Sequence, residues 1–481
     1  MLQLRNSGGQ NLRSATRAVG CAVLAAVSLT ASTPRLSAAP RADGQLRIMV
    51  VDADTRQPIA ARMHLKNTRG RPVKLQLPGL NQFADHFYID GQLTLPLRRG
   101  QYTFDLEAGP EYRTRSGHFE IGQHADDSKT IEMHRFANLA EEGWWAGDLD
   151  AQRKAVDLPL AMRAESLSLV ANRAAPGEAA SAAGKIATRP AAELLEWDGH
   201  PIARTPFAWA LPVWLARGEL DALGLVHHHA LRDGVVDHEH DGRPRDRTLF
   251  PGATGNGRWS ETIYYHVLNC GLRIPPAAGS GSGENDNPLG TNRVYADCGE
   301  EFSNENWWAA LEAGRVFVTN GPLLRPRVNG QPPGYVFHLD EGGRLSLEIA
   351  LELATRVPVE YLAIVKNGEA DVEVRLDEFA QTGGRLPPVV FDASGWFLVR
   401  AVTTNRRTYQ FASSGPYYVE LAGRPRVSRR SVRFFLDWLD AAETRPRERP
   451  DLDNATRDAL LAEQAAARQF FEDLLARANA D

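Results

Sequence analysis

Apolar residues between positions 45 and 136 come in short alternating runs broken by turn residues. Runs at 46–51 and 59–65 flank the polar stretch 52–58, and others stand at 93–97, 102–106, 118–121 and 130–134. Period-two alternation at this spacing predicts an antiparallel β-sandwich over residues 44–136. From Leu139 the texture changes: helical stretches at 158–165, 191–197, 212–217, 260–268 and 305–313 are interleaved with short apolar runs such as 220–226. That alternation predicts an α/β domain over 139–328, built on a largely parallel sheet or barrel. The Ala, Gly and Ser-rich stretch 174–184 reads as a loop. Strand patterning returns over 334–424, which predicts a second β-sandwich. Beyond Arg426 the period becomes helical, with Val432, Phe435, Leu436 and Leu439 on one face. After the Pro-containing break at 445–450, Leu460, Leu461, Phe470, Phe471, Leu474 and Leu475 continue it, so 426–481 is predicted as a helical tail.

Composition sets bounds on this picture. A chain of 481 residues suits about three domains. Its 41 Gly and 29 Pro are ordinary for a globular protein. The formal net charge is −5, and the leader contributes Arg5, Arg13, Arg17 and Arg35 with no acid, so the body is more acidic still. Nucleic-acid binders concentrate Lys and Arg to displace counterions, so nucleic acid is excluded as a partner. The leader itself has basic residues, then an apolar run at 18–31, then small residues through Ala39. This is the pattern of a signal peptide over 1–39, implying a secreted or periplasmic protein with no transmembrane span in the mature chain. The body keeps two cysteines, Cys270 and Cys298, enough for one disulfide or two free thiols.

Three segments carry chemistry. His227, His228 and His229 follow the apolar run 220–226 directly, so they sit where a buried strand delivers side chains to its C-terminal rim, the usual place of an α/β active site. Imidazole ligates Zn, Mn, Fe and Ni, and Asp237, His238, Glu239 and His240 add further donors nearby. In the segment GWWAGDLDAQR, Asp148, Asp150 and Gln152 alternate and share one face of a strand, where oxygen groups suit a hard cation such as Mg. Asp148, Asp150, His227 and His229 are therefore the candidate metal ligands, with Asp148 and His229 as catalytic candidates. Trp144 and Trp145 offer an aromatic platform for a small molecule or glycan, or else belong to the core. Arg153 and Arg258 are candidate ligand-binding residues because a guanidinium holds a carboxylate or phosphate bidentately. The run GSGSG at 279–283 lacks the Lys-Ser/Thr ending of a phosphate loop.

Two resemblances add to this reading. The opening RIMVVDADTRQPIAARMHL resembles carboxypeptidase regulatory-like modules, which implies a scaffold role for 44–136. The ordered set GWWAGDLDAQR, MRAESLSLV, LPVWLARGELDALGLVHHH, GRPRDR, GNGRWSETIYYHVLNCGLRIPPAAGS, NRVY and WWAALEAGRVFVTNGPLL resembles the PHP-domain metallohydrolases of the carbaryl-hydrolase (CehA/McbA) group. That resemblance implies a distorted (β/α)7 barrel between the two sandwiches. It also implies divalent metals (Zn, Mn, Fe or Mg) activating water for ester or phosphoester hydrolysis. The family's ligands are largely replaced. Its His-x-His falls on Asp150 and Gln152, its Thr-Asp-His near Ala171, Asn172 and Arg173, and its late Ser-Asp-x-His on Ser280, Gly281, Ser282 and Gly283. The expectation is a metallohydrolase-derived protein with a decayed site, no tightly bound cofactor and a binding role. The alternative is a hydrolase with a rearranged ligand set.

Overall fold

The computed structural model describes residues 42–173, 193–197 and 199–481. The predicted leader 1–39 and the loop 174–184 lie outside them. Residues 42–481 form one compact unit, and of the described residues 38% are strand and 22% helix.

The N-terminal run builds one seven-stranded sheet, in the order Arg115–Ile121, Gly100–Glu107, Ala60–Asn67, Phe87–Asp90, Gln92–Leu97, Gly44–Asp52, Asp126–Met133. Every pairing is antiparallel except the last, where Gln45 lies beside Asp126 and Asp52 beside Met133 in parallel register. In Gly44–Asp52 the alternation is direct: Leu46, Ile48 and Val50 are buried while Arg47 and Met49 face out. Strand Ala60–Asn67 differs, because Ala61 through Leu65 are buried on both faces. Ala61, Met63 and Leu65 enter the sheet's own core, and Arg62 turns the other way toward the helix Leu158–Glu165, bonding Glu165 at its end.

The (β/α)7 barrel that the sequence predicts is not formed, and this corrects the expected fold class from α/β to a β-rich architecture. Among the described residues in the middle of the chain, the strands that pair in parallel are Trp144–Ala151 with Leu169–Asn172, and His200–Ala203, Ala222–Val226 and Pro276–Ala278 in succession. Arg293–Asp297 runs antiparallel to Trp144–Ala151, with Val294 opposite Gly147, and antiparallel again to Val316–Thr319. Val316–Thr319 then pairs with Phe411–Ser414. A ten-stranded sheet thus continues from the middle of the chain through Gly395–Thr403 and Tyr417–Leu421 to Val336–Leu339. A barrel needs parallel strands whose two edges meet, and here Trp144–Ala151 gives its second edge to antiparallel Arg293–Asp297 while His200–Ala203 gives its own to antiparallel Leu194–Trp197. A separate three-stranded sheet, Leu323–Val328, Leu345–Ala354 and Arg385–Phe391, completes that region.

The tail forms helices Arg429–Glu448 and Asn454–Ala476, started by Ser428 and Asp453, whose side chains accept from Ser431 N and Thr456 N. Among the described residues no helix is long and apolar enough to cross a membrane. Cys270 and Cys298 are both free thiols.

Candidate functional site

Strand Trp144–Ala151 is buried along nearly its whole length, and it carries Asp148 and Asp150 into the interior. Asp148 is fully buried. Its carboxylate accepts from Ser280 N at 2.9 Å, Gly290 N at 2.7 Å, Asp150 N at 3.2 Å and the Ser280 hydroxyl. Burial pushes its pKa up to about 6 against the pull of those donors. The GSGSG run is a close backbone approach: a Cβ on Gly279 would lie 2.4 Å from Asp150 Cβ, and Gly283 has φ +98° with the Gln152 carbonyl where its Cβ would stand.

Asp150 belongs to an ion-pair ring. Arg204 Nε donates to its Oδ2 at 2.6 Å and Arg173 Nη2 meets its Oδ1 at 3.0 Å. Glu284 accepts from both arginines, at 2.6 Å from Arg204. Arg204 follows the strand His200–Ala203. Its carbonyl would lie 2.3 Å from a Cβ at position 224, so Gly224 in the neighbouring strand is required by that approach.

Strand Ala222–Val226 is wholly buried and delivers His227, His228 and His229 at its C-terminal end, as the sequence predicts. His227 Nε2 meets Ser260 Oγ at 2.9 Å. His229 is 1% exposed, yet neither ring nitrogen has a partner, and His228 Nδ1 also lacks one. The exposed His238 and His240 lie over His229 with ring centroids at 6.1 and 5.0 Å, and His228 stands at 4.4 Å. Burial first, and then Arg204, hold His227 down to about pKa 3 and keep His228 far below the usual imidazole range, while at His229 burial and then the neighbouring imidazoles do the same. The result is a nest of five imidazoles, its buried members uncharged at neutral pH. Asp237 and Glu239 do not join it, because both pair with Arg245.

The other predicted residues are placed differently. Trp144 is 3% exposed and packs on Phe317, so it offers no platform to a ligand; it is core. Trp145 is half-buried against Phe302 and donates from Nε1 to Gly299 O. Arg153 lies over the Phe83 ring at 3.8 Å and donates to Ser282 Oγ and Asn287 O. Arg258 is exposed on the helix Gly255–Asn269. The carboxylates and the histidines are neighbours through the loop after Gly279, since a Cβ on Gly281 would lie 2.5 Å from His228 Cβ. They do not converge on one ion. Among the described residues, the groups whose ligand atoms do converge are His64–Asp85–His86 and His200–Asp221–Glu312, and no predicted ligand is in either. Sequence reasoning missed Arg204 and these two groups.

No family model matches the chain, and no curated protein matches it. Among solved structures, the Bacillus anthracis TIE protein is 19% identical over 23% of this chain, with a TM-score of 0.16. The chain spans 19% of that protein's length. BcpA, the major pilin subunit of Bacillus cereus, is 8% identical over 78% of this chain and 68% of its own, with a TM-score of 0.23. The Parabacteroides merdae β-glucuronidase is 9% identical over 76% of this chain and 60% of its own, with a TM-score of 0.17. Likenesses of this size assign neither fold nor function.

Proposed function

We propose that the chain is a binding protein without hydrolytic activity, exported on the strength of its leader sequence, whose ligand is a small hydroxylated molecule taken up at the histidine nest. The observation that carries this reading is the Arg204–Asp150–Arg173–Glu284 ring. The expected metal set relies on Asp148 and Asp150 for its oxygen ligands, and a buried guanidinium already neutralises Asp150. Asp148 is likewise saturated by four protein donors. His229, buried and uncharged, has both ring nitrogens without a protein partner, one a donor and one an acceptor, the complement that a ligand hydroxyl requires. The test has two arms. With Zn, Mn, Fe or Mg added, p-nitrophenyl acetate and bis-p-nitrophenyl phosphate should be hydrolysed no faster than in buffer. On a glycan array the wild type should be retained, and His229→Ala should lose that retention. Metal-dependent turnover abolished by His229→Ala would overturn the reading.

A further inference from the structure

We propose that His64, Asp85 and His86 form a binding site for a divalent transition-metal ion, within the N-terminal sheet and separate from the histidine nest. Strand Ala60–Asn67 pairs antiparallel with Phe87–Asp90, Met63 standing opposite Phe87. One step further along that ladder, His64 meets His86, and Asp85 is its chain neighbour. Asp85 Oδ2 lies 3.2 Å from His64 Nδ1, and its Oδ1 lies 2.7 Å from His86 Nδ1. The three ligand atoms are all within 4.8 Å of one another.

The geometry fits an ion. Two imidazoles bound to one metal at about 2.0–2.1 Å and near-tetrahedral angles have ring centroids about 5 Å apart. Here the centroids are 5.3 Å apart, with the planes at 45°. The two rings are 3% and 2% exposed, whereas the Asp85 side chain is 41% exposed, so the group opens to water on its carboxylate side. Water can fill the remaining coordination positions there. One carboxylate serves both rings through their Nδ1 atoms, so those two nitrogens and the carboxylate oxygens all face the same point.

The surroundings select the class of metal. Arg62 is buried close by and is held by Glu107 and Glu165, and Arg153 lies over Phe83, the ring next to His86. With guanidinium groups near and a single carboxylate present, a hard ion such as Ca or Mg, which needs several anionic or neutral oxygen atoms, is poorly served. Zn, Co or Ni, bound mainly through imidazole nitrogen, is well served.

The test uses the full chain, stripped with a chelator and dialysed, then titrated with Co²⁺ alone. The expected result is a visible d–d absorption band that saturates near one equivalent and is displaced by Zn²⁺. Asp85→Asn, conservative in shape at a partly exposed position, should weaken Co²⁺ binding by about tenfold or more while the far-ultraviolet circular dichroism is unchanged. His64→Ala should remove the band. His200→Ala, in the other converging group, should leave it intact. Absence of the band in folded wild type, its persistence at full affinity in Asp85→Asn, or its loss in His200→Ala would each overturn the proposal.

Discussion

Arg204 decides what the carboxylates of the interior strand can do. Its side chain and that of Asp150 are each about 3% exposed and joined at 2.6 Å, so each charge depends on the other for its place in a low-dielectric interior. Removing Arg204 leaves the buried Asp150 with only the partly exposed Arg173 against its charge, and breaking a buried pair in this way costs up to about 3–5 kcal/mol. Arg204→Met should therefore lower the urea midpoint steeply. The double variant Arg204→Met with Asp150→Asn should recover much of the loss, because the orphaned charge is then gone. Additive losses would mean that the two residues are not coupled. The same pair shows what could be read at this scale. The alternation of Asp148 and Asp150 placed both on one strand, as found, but their chemistry depends on partners far along the chain, at Arg204, Ser280 and Gly290. An arginine after a short strand gives no signal of its own. His64, Asp85 and His86 went unread for the same reason, since only the pairing of two strands brings them together.

Elements with strong local periodicity were legible, and those that depend on distant pairing were not. The helix predicted at 158–165 is Leu158–Glu165, and the one at 305–313 is Asn304–Glu312. By contrast, the helical reading of 191–197 gives way to the strand Leu194–Trp197, whose hairpin with His200–Ala203 overrides helix propensity in Leu194, Leu195 and Glu196. The antiparallel ladders from Trp144–Ala151 to Phe411–Ser414 pair residues as far apart as Trp144 and Asp297, beyond the reach of any local pattern. The tail shows periodicity working and then failing. Val432, Phe435 and Leu439 are buried as predicted, and Phe435 stacks on Phe471 at 5.1 Å, but Leu460, expected on the same inner face, is exposed. Phe471→Ala should accordingly cost about 3–5 kcal/mol through the cavity it leaves. Leu460→Ala should stay within about 0.5 kcal/mol. Guanidinium denaturation of the two variants side by side checks the contrast, and equal losses would show that the second tail helix is not anchored through Phe471.

Across the whole molecule, stability is tied to pH through imidazoles that the fold keeps uncharged. Burial is the leading cause at His227, His228, His229 and His266, and it holds His227 to about 3 and His266 to about 4. A histidine whose folded pKa is depressed binds its proton in the unfolded chain first, so acidification through about 6.5 favours unfolding and continues to do so down to the folded value. Each such group lowers stability by up to about 1.4 kcal/mol per pH unit in that window. Asp148 acts in the opposite sense. Its pKa is raised to about 6, so the folded chain takes up that proton more readily than the unfolded one, and stability from this group falls as the pH rises from the usual carboxylate range to about 6. With His86, also held down to about 4 by burial, five imidazoles stand against three carboxylates that burial raises, Asp148, Glu142 and Glu165, and the net expectation is a loss of stability from pH 6.5 toward pH 4. The histidines also lie in separate parts of the unit, three at the end of strand Ala222–Val226 and His266 stacked on Phe434 of the tail, so the effect should be global. Urea midpoints measured at pH 8, 6.5, 5 and 4 should be level over the first interval and drop over the next two. His227→Asn should make that drop shallower, since an amide of similar size can still meet Ser260 without titrating. A midpoint unchanged between pH 6.5 and 4 would mean that the imidazoles at the strand end are not held neutral by burial.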